Sequence, residues 1–392
     1  MNGIAGSPNS GLQENIPVTL MRGGTSKGVF IEERHLPPTG PDRDRVLLAL
    51  MGSPDPMQID GLGGTHSSTS KVVVVGTSDE PDIDVRYWFA QVGIDTSVVD
   101  AEGNCGNLTT AVAPYAIDQG IVQAHEPMTT LRLRNLNTGA VIESTVRVRN
   151  GQAEVLGDLI VSGVPGSGAP ISTQFIDPAG GVLGKVCPTD AVIDTVTANG
   201  RDYAVSLFDI THPMAFVSAD ELNLDLRKVS TTAWNGNAAL LAIMEELRGT
   251  CATALGAASH WKKAERESPT VPNLVLVQAS EDDEADILAV ALSMGKFHHA
   301  LPVTAALCLA AAAATPGTVP HSIRPGEASG SLRIRHPKGV LPVTADVQTS
   351  SGLPIVHSVG VVRTARKLLQ GTAFVLPTTI GKDKPAPRTA QA

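Results

Sequence analysis

Aromatic side chains are scarce in this chain of 392 residues, at 3% of the sequence. With so few large rings, a core has to be assembled mainly from Ala, Val, Leu and Ile. Cysteine is sparse too. The four present, Cys105, Cys187, Cys251 and Cys308, are widely spaced with no CxxC pair, which speaks against a disulfide framework or a zinc site and leaves reduced thiols as the default. Positive charge is in deficit: 30 Lys and Arg against 39 Asp and Glu give a formal net charge of -9. That balance argues against a nucleic-acid partner, which needs a basic footprint, but suits a local basic pocket for a small anion. No apolar run is long enough for a bilayer: the longest, Leu301 to Ala314, is short and alanine-rich. The stretch Met1 to Asn15 lacks the basic and apolar regions of a secretory signal, so the chain reads as soluble and cytoplasmic, with no membrane partner. GxSxG, HExxH, Walker and GxGxxG patterns are missing as well, which favours chemistry without metal or cofactor.

What is there begins with length. A chain of 392 residues exceeds what one core usually holds and favours two domains. The first half reads mainly as strands: Pro17 to Met21 and Gly28 to Glu32 around a glycine turn, then Lys71 to Gly76, Ile83 to Val92, Leu131 to Arg134, Val141 to Val148 and Ala153 to Leu156. Helices are expected from Asp42 to Met51, stopped by Gly52, and after Asn104, where Leu108, Ala111, Val112, Tyr115 and Ala116 keep helical spacing and Pro114 is placed to kink it. The Gly-, Pro- and Ser-rich stretch Val161 to Gly184 reads as the crossover. Beyond it come strands near Ala191 to Val196, Ala204 to Phe208, Ala215 to Ser218, Leu274 to Gln278, Asp286 to Leu292, Ser331 to Arg335 and Gly360 to Arg363. Helices are expected from Trp234 to Leu255 and Leu301 to Ala314, with Pro302 in the first turn of the latter. Residues 381–392 read as a disordered tail. Each half thus has strands around one alanine-rich helix, and the expected architecture sets the two helix N-termini face to face across a cleft, as a paired anion site.

Two segments carry the chemistry. Arg22-Gly23-Gly24-Thr25-Ser26-Lys27-Gly28 offers backbone amides, two hydroxyls and a planar guanidinium suited to a carboxylate. It lacks P-loop spacing and leads into a strand. Gly103-Asn104-Cys105-Gly106-Asn107 places a thiol at the start of a helix, where negative charge is favoured and a thiol becomes reactive; amides and glycines on both sides suit a ligand-facing turn rather than a core. Cys251 and Cys308, in apolar helical stretches, read as structural. Lys71 stands immediately before four valines, where desolvation could make its amine a general base, although a strand-end lysine reaching to solvent fits the pattern equally. The hydroxyl-rich loop before it, ending at Ser70, favours the binding reading. Lys296 and His298 precede the second small-residue helix as candidate carboxylate contacts. His336, Arg363 and Arg366 read as solvated surface.

Met21 to Gly28, Gly52-Ser-Pro-Asp-Pro56, Gln58 to Gly64, Ser67-Ser-Thr-Ser-Lys71 and Gly103 to Leu108, in this order, resemble the PrpF family, with weaker matches at Met294-Gly-Lys296, Pro316-Gly-Thr318, His336-Pro337 and Arg363-Thr-Ala-Arg366. The resemblance implies a diaminopimelate-epimerase-like α+β fold: two similar domains, 1–185 and 186–380, each a mostly antiparallel sheet wrapped round a central helix, with the active site between them. It implies a cofactor-independent isomerase that moves a double bond in an unsaturated di- or tricarboxylate such as 2-methylaconitate or aconitate. Lys71 and Cys105 match its acid–base pair. Arg22, Gly23, Gly24, Thr25, Ser26, Ser70, Asn104, Gly106, Asn107, Lys296 and His298 would bind the substrate. Related epimerases use a cysteine from each half; the corresponding turn around His299 to Thr304 has none, which agrees with Lys71 taking that place. A homodimer fits this reading. The alternatives are a 4-oxalomesaconate-type keto–enol tautomerase, an amino-acid racemase, or a non-catalytic accessory protein of an aconitase-like enzyme.

Overall fold

The computed structural model describes residues 13–101, 103–324, 330–350 and 352–376; the tail expected at 381–392 lies outside them. The chain is mixed α+β and mostly strand. In the first half β1 (Glu14–Gly23), β2 (Ser26–Glu32), β3 (Lys71–Thr77), β4 (Val85–Val92), β5 (Met128–Asn135), β6 (Val141–Arg149) and β7 (Ile171–Ile176) follow one another across a sheet. Their pairings in sequence are antiparallel, parallel, antiparallel, parallel, antiparallel and antiparallel. After β8 (Asp194–Ala198), the series β9 (Arg201–Ile210), β10 (His212–Ser218), β11 (Asn273–Ala279), β12 (Ile287–Ser293), β13 (Ser331–His336), β14 (Gly339–Ser350) and β15 (Leu353–Arg363) repeats that order of senses.

Parallel neighbours need a crossover, and helices fill the same gaps in both series. α1 (Pro41–Met51) links β2 to β3, and α4 (Ala238–Ala254) links β10 to β11. α2 (Gly106–Thr109) and α3 (Val112–Asp118) lie between β4 and β5, and α5 (Val303–Ala313) between β12 and β13. The two series join where β7 pairs with β15, and β16 (Ala365–Val375) runs back antiparallel along the whole of β1.

Most expected elements stand, with informative differences. The helix after Asn104 is broken between Thr109 and Val112 rather than bent at Pro114; the proline lacks an N–H and its ring crowds the carbonyl four residues back, Thr110. Pro302 sits at the N-cap of α5, just outside the first turn. The Gly-rich crossover contains β7, which pairs on both edges, and β14 and β16 extend far beyond anything expected there.

One core gathers α3 and α5 between the sheets, with Tyr115, Leu307 and Leu309 against Phe30, Val73, Phe216 and Val361. α5 is buried on nearly every side, which an all-apolar helix requires. Its alanines let strands approach closely, so the shortage of rings is met by small side chains. Two further clusters form behind the sheets, one with α1 and one with α4.

Candidate active site

Strand alternation decides which side chains reach the ends of the inner faces. On β3 the inward row Val75, Val73 ends at Lys71; on β4 the row Val85, Tyr87, Phe89 ends at Gln91. Lys71 and Gln91 are direct cross-strand partners. The Lys71 Nζ donates to Gln91 Oε1 at 2.6 Å and lies 5.1 Å from the Phe89 ring centre. Gln91 is fixed in turn, since its Nε2 donates to the Ser70 carbonyl at 2.8 Å. No carboxylate pairs with Lys71 among the described residues. The amine is oriented but not neutralised.

Cys105 is the N-cap of α2, half-buried, with its Sγ 3.8 Å from Ser26 Oγ. Its turn is held from below: the Thr109 hydroxyl donates to Asn104 Oδ1 and the Cys105 carbonyl, both at 3.1 Å, and Tyr87 Oη lies 3.0 Å from Thr109 Oγ1. Burial pushes the Tyr87 phenol up to about 12, so it stays protonated and able to donate. Tyr87 and Thr109 position the cysteine turn and were not singled out from sequence, although Tyr87 sits in register with Val85 and Phe89. Gly28 lets β2 lie against both β3 and the start of α2: a Cβ there would lie 2.7 Å from Leu108 Cδ1 and 3.0 Å from the Lys71 carbonyl. Only a residue without a side chain lets β3 and the start of α2 approach this closely.

The remaining candidates fall into three groups. Gly23, Gly24, Thr25 and Ser26 form the tight β1–β2 turn against the cysteine helix, where Asn107 Nδ2 donates to Thr25 Oγ1 at 3.2 Å. Arg22 donates to the carbonyls of Thr364 and Gly24 at 2.7 and 3.1 Å, which anchors that turn, and burial together with the facing Arg366 lowers its pKa. Ser70 is fully buried. Its hydroxyl donates to the Val92 carbonyl and accepts from Gln58 Nε2, so its side chain is used inside the protein.

Lys296 and His298 belong to the second half. Lys296 is exposed, while His298 stacks on His299 at 4.7 Å and is kept below its ordinary pKa by burial. The halves meet at their helix starts: a Cβ on Gly106 would lie 3.0 Å from Val303 Cγ1, and His66, before β3, lies edge-on to His299 at 6.4 Å.

One expectation needs correction. Arg363 is not solvated surface: it is 6% exposed and free of any hydrogen bond or ion pair among the described residues. Half-buried His336, beside it, is pulled down to about 4 by burial, Arg363 and His298. A separate cavity of about 560 Å³ lies at the far end of β3, where Glu32 and Glu33 are ion-paired with Arg34 and Arg86.

Among the described residues no helix is long and apolar enough to cross a membrane. The chain matches the model of the PrpF protein family over residues 13–376. It is 39% identical to a 3-methylitaconate isomerase of Eubacterium barkeri, covering 93% of this chain and 98% of that one. It is 37% identical to a 2-methyl-aconitate isomerase of Cupriavidus necator, with 92% and 96% covered. A (4E)-oxalomesaconate Delta-isomerase of Novosphingobium sp. strain KA1 is 36% identical, with 92% and 98% covered. Among solved structures, a methylitaconate-delta-isomerase superposes with a TM-score of 0.87 at 38% identity, covering 96% of this chain and all of that one. A hydroxyproline epimerase superposes at 0.52 with 12% identity over 92% of each chain, a likeness of fold alone. The chain belongs to the PrpF family and is an isomerase.

Proposed function

We propose that this protein moves a double bond within an unsaturated di- or tricarboxylate by cofactor-independent proton transfer, with Cys105 and Lys71 as the acid–base pair. The observation that carries this reading is a helix-capping thiol on α2 and an oriented amine without a carboxylate partner on β3, two elements that both pack against Gly28. In a protein of net charge -9, leaving Lys71, Arg22 and Arg363 without acidic partners makes sense when an anion supplies the missing charge. The 3-methylitaconate, 2-methyl-aconitate and oxalomesaconate named for the relatives share that feature, and the proposal is made for the class they form.

The chemistry follows from the groups. One of the pair removes an allylic proton next to a carboxylate, and the electron pair delocalises into an enediolate-like anion. The Thr25 and Ser26 hydroxyls stabilise that charge. The other returns a proton at the far end of the allyl system, so one proton leaves, one is added and the double bond shifts. Rotation in the intermediate allows cis–trans change. Division of the chain near residue 185 into two halves, with the site between them, is part of the same reading. The test is solvent deuterium incorporation followed by NMR with methylitaconate, 2-methylaconitate and oxalomesaconate. Label appearing together with double-bond movement in the wild type, with the double-bond movement lost in Cys105→Ser, supports it; absence of exchange on all three substrates sinks it.

A further inference from the structure

Among the described residues three arginines are buried, and two of them show how a protein normally treats one. Arg248 is bound by both Glu245 oxygens and the Ser268 carbonyl. Arg43 donates to the Pro37 carbonyl and lies over the Trp88 ring at 5.5 Å. Arg363 has neither. It is 6% exposed, its Nε is buried without a partner, and no hydrogen bond or ion pair reaches it among the described residues. Taking a lone cation out of water is costly, and burial alone pulls its pKa down to about 10, with no carboxylate acting on it.

Its place in the fold is specific. Val359, Val361 and Arg363 form the inward row of β15, and the two valines pack in the core with α5. The row Leu332, Ile334, His336 on β13 runs out on the same face. His336 and Arg363 therefore finish rows on the same face, one on each side of β14, and Arg363 and His298 are both close enough to act on His336. The next residue, Thr364, ties this corner to the catalytic end: its carbonyl accepts from the Gly24 N–H at 3.0 Å and from Arg22 at 2.7 Å. Two residues after Gly24, Ser26 meets the Cys105 thiol.

We propose that Arg363 is the anchor for a substrate carboxylate remote from the carbon that exchanges its proton, with His336 and His298 as neutral hydrogen-bonding neighbours. The proposal rests on the isomerase reading above for its substrate class. A guanidinium offers two parallel N–H groups to a carboxylate, and in a buried corner those bonds are strong because water does not compete. The first half of the chain then supplies the proton-transfer pair and the second half supplies the grip. An acid lacking the remote carboxylate leaves Arg363 buried and unpaired, and so is rejected.

The test uses tricarballylate, a saturated tricarboxylate that can bind but cannot isomerise, titrated calorimetrically into wild type, Arg363→Met and Arg363→Lys. Arg363→Met is expected to bind at least 30-fold more weakly. Its melting temperature without ligand should be equal to or above that of wild type, since an uncompensated charge is removed; a merely structural arginine would lower it. On a turned-over substrate KM rises while kcat stays within a few-fold. Should Arg363→Met fail to fold, Arg363→Lys decides, because it keeps the charge and loses the fork: weaker binding at a wild-type melting temperature supports the anchor, and unchanged affinity overturns it. Wild-type affinity in Arg363→Met also overturns it. If tricarballylate binding depends on Arg363 while wild type exchanges no deuterium into any substrate, the anchor stands and the isomerase reading falls. If wild type turns over and Arg363→Met keeps its KM, the reverse holds.

Discussion

The two ends of sheet that face the junction share one strand order and carry different chemistry. In the first half the inward rows finish at Lys71 and Gln91, and the following helix starts at Cys105. In the second the corresponding rows, on β11 and β12, finish at Asn273 and Ser293, with His336 and Arg363 ending β13 and β15, and the helix starts after Pro302 with Val303. Where one helix start presents a thiol, the other presents a proline and a valine packed against Gly106. A racemase that works through two equivalent thiols needs both helix starts alike. Here the two starts differ, and on the proposed reading the repeated scaffold separates proton transfer from substrate grip. Each half can then be disabled independently.

The sharpest break is Cys105→Ser, which should reduce isomerisation by about 10³-fold while melting within a few degrees of wild type, because the half-buried thiol makes one long contact to Ser26. Calorimetry alongside the NMR assay checks both. Lys71→Gln should cost about 10²-fold and adds information: with one member of the pair gone, the other still exchanges its own proton. Cys105→Ser and Lys71→Gln should therefore retain slow deuterium exchange at different carbons. Exchange at the same carbon in both variants would mean that the two groups do not divide the allyl system.

A smaller effect tests the junction itself. Gly106→Ala places a Cβ 3.0 Å from Val303 Cγ1 and 3.1 Å from Val303 Cβ, so one helix start must shift. Turnover should fall about tenfold, the scale of a misplacement remote from the chemistry, and Val303→Ala added to it should restore most of the loss. No restoration would place the effect elsewhere in the cysteine turn.

The mildest prediction concerns acid. His336 is held neutral, at about 4 in the fold against an ordinary 6.5, by burial, Arg363 and His298. The unfolded chain therefore takes up a proton at a higher pH than the folded one, and stability falls as pH drops from about 6.5 towards 4. Urea unfolding at steps across that range should show this slope, flattened in His336→Asn. Occupancy of Arg363 by a carboxylate should flatten it too.

The proposed catalytic end was more legible in the sequence than the proposed binding end. Glycines beside a cysteine and a lysine before four valines are local patterns, and local patterns survive without a structure. Strands β1 to β4, and α1 stopped at Gly52 with φ 75°, follow from alternation and helix spacing. Arg363 was misjudged because the pattern around it, Val359-x-Val361-x-Arg363, says that it faces the same way as two valines but not that this face is covered. Cover comes from α5, some fifty residues earlier in the chain. β7 was hidden by glycines and prolines on either side, and its pairing with both β6 and β15 is a long-range fact. The correspondence of the two halves is likewise a matter of pairing order, invisible in residue identities.

The return of β16 along β1 has a consequence for how the chain comes into being. Asn15 is paired with Phe374, and Arg22 with Arg366. During synthesis β1 emerges well before β16 and can pair with β2 at once, yet its other edge stays open until residues 365–375 have left the ribosome. For that interval an unpaired strand edge is exposed, the kind of edge that recruits neighbouring chains. Closing this edge therefore waits for β16, and a chain cut short before residue 365 would carry a ready-made site for aggregation.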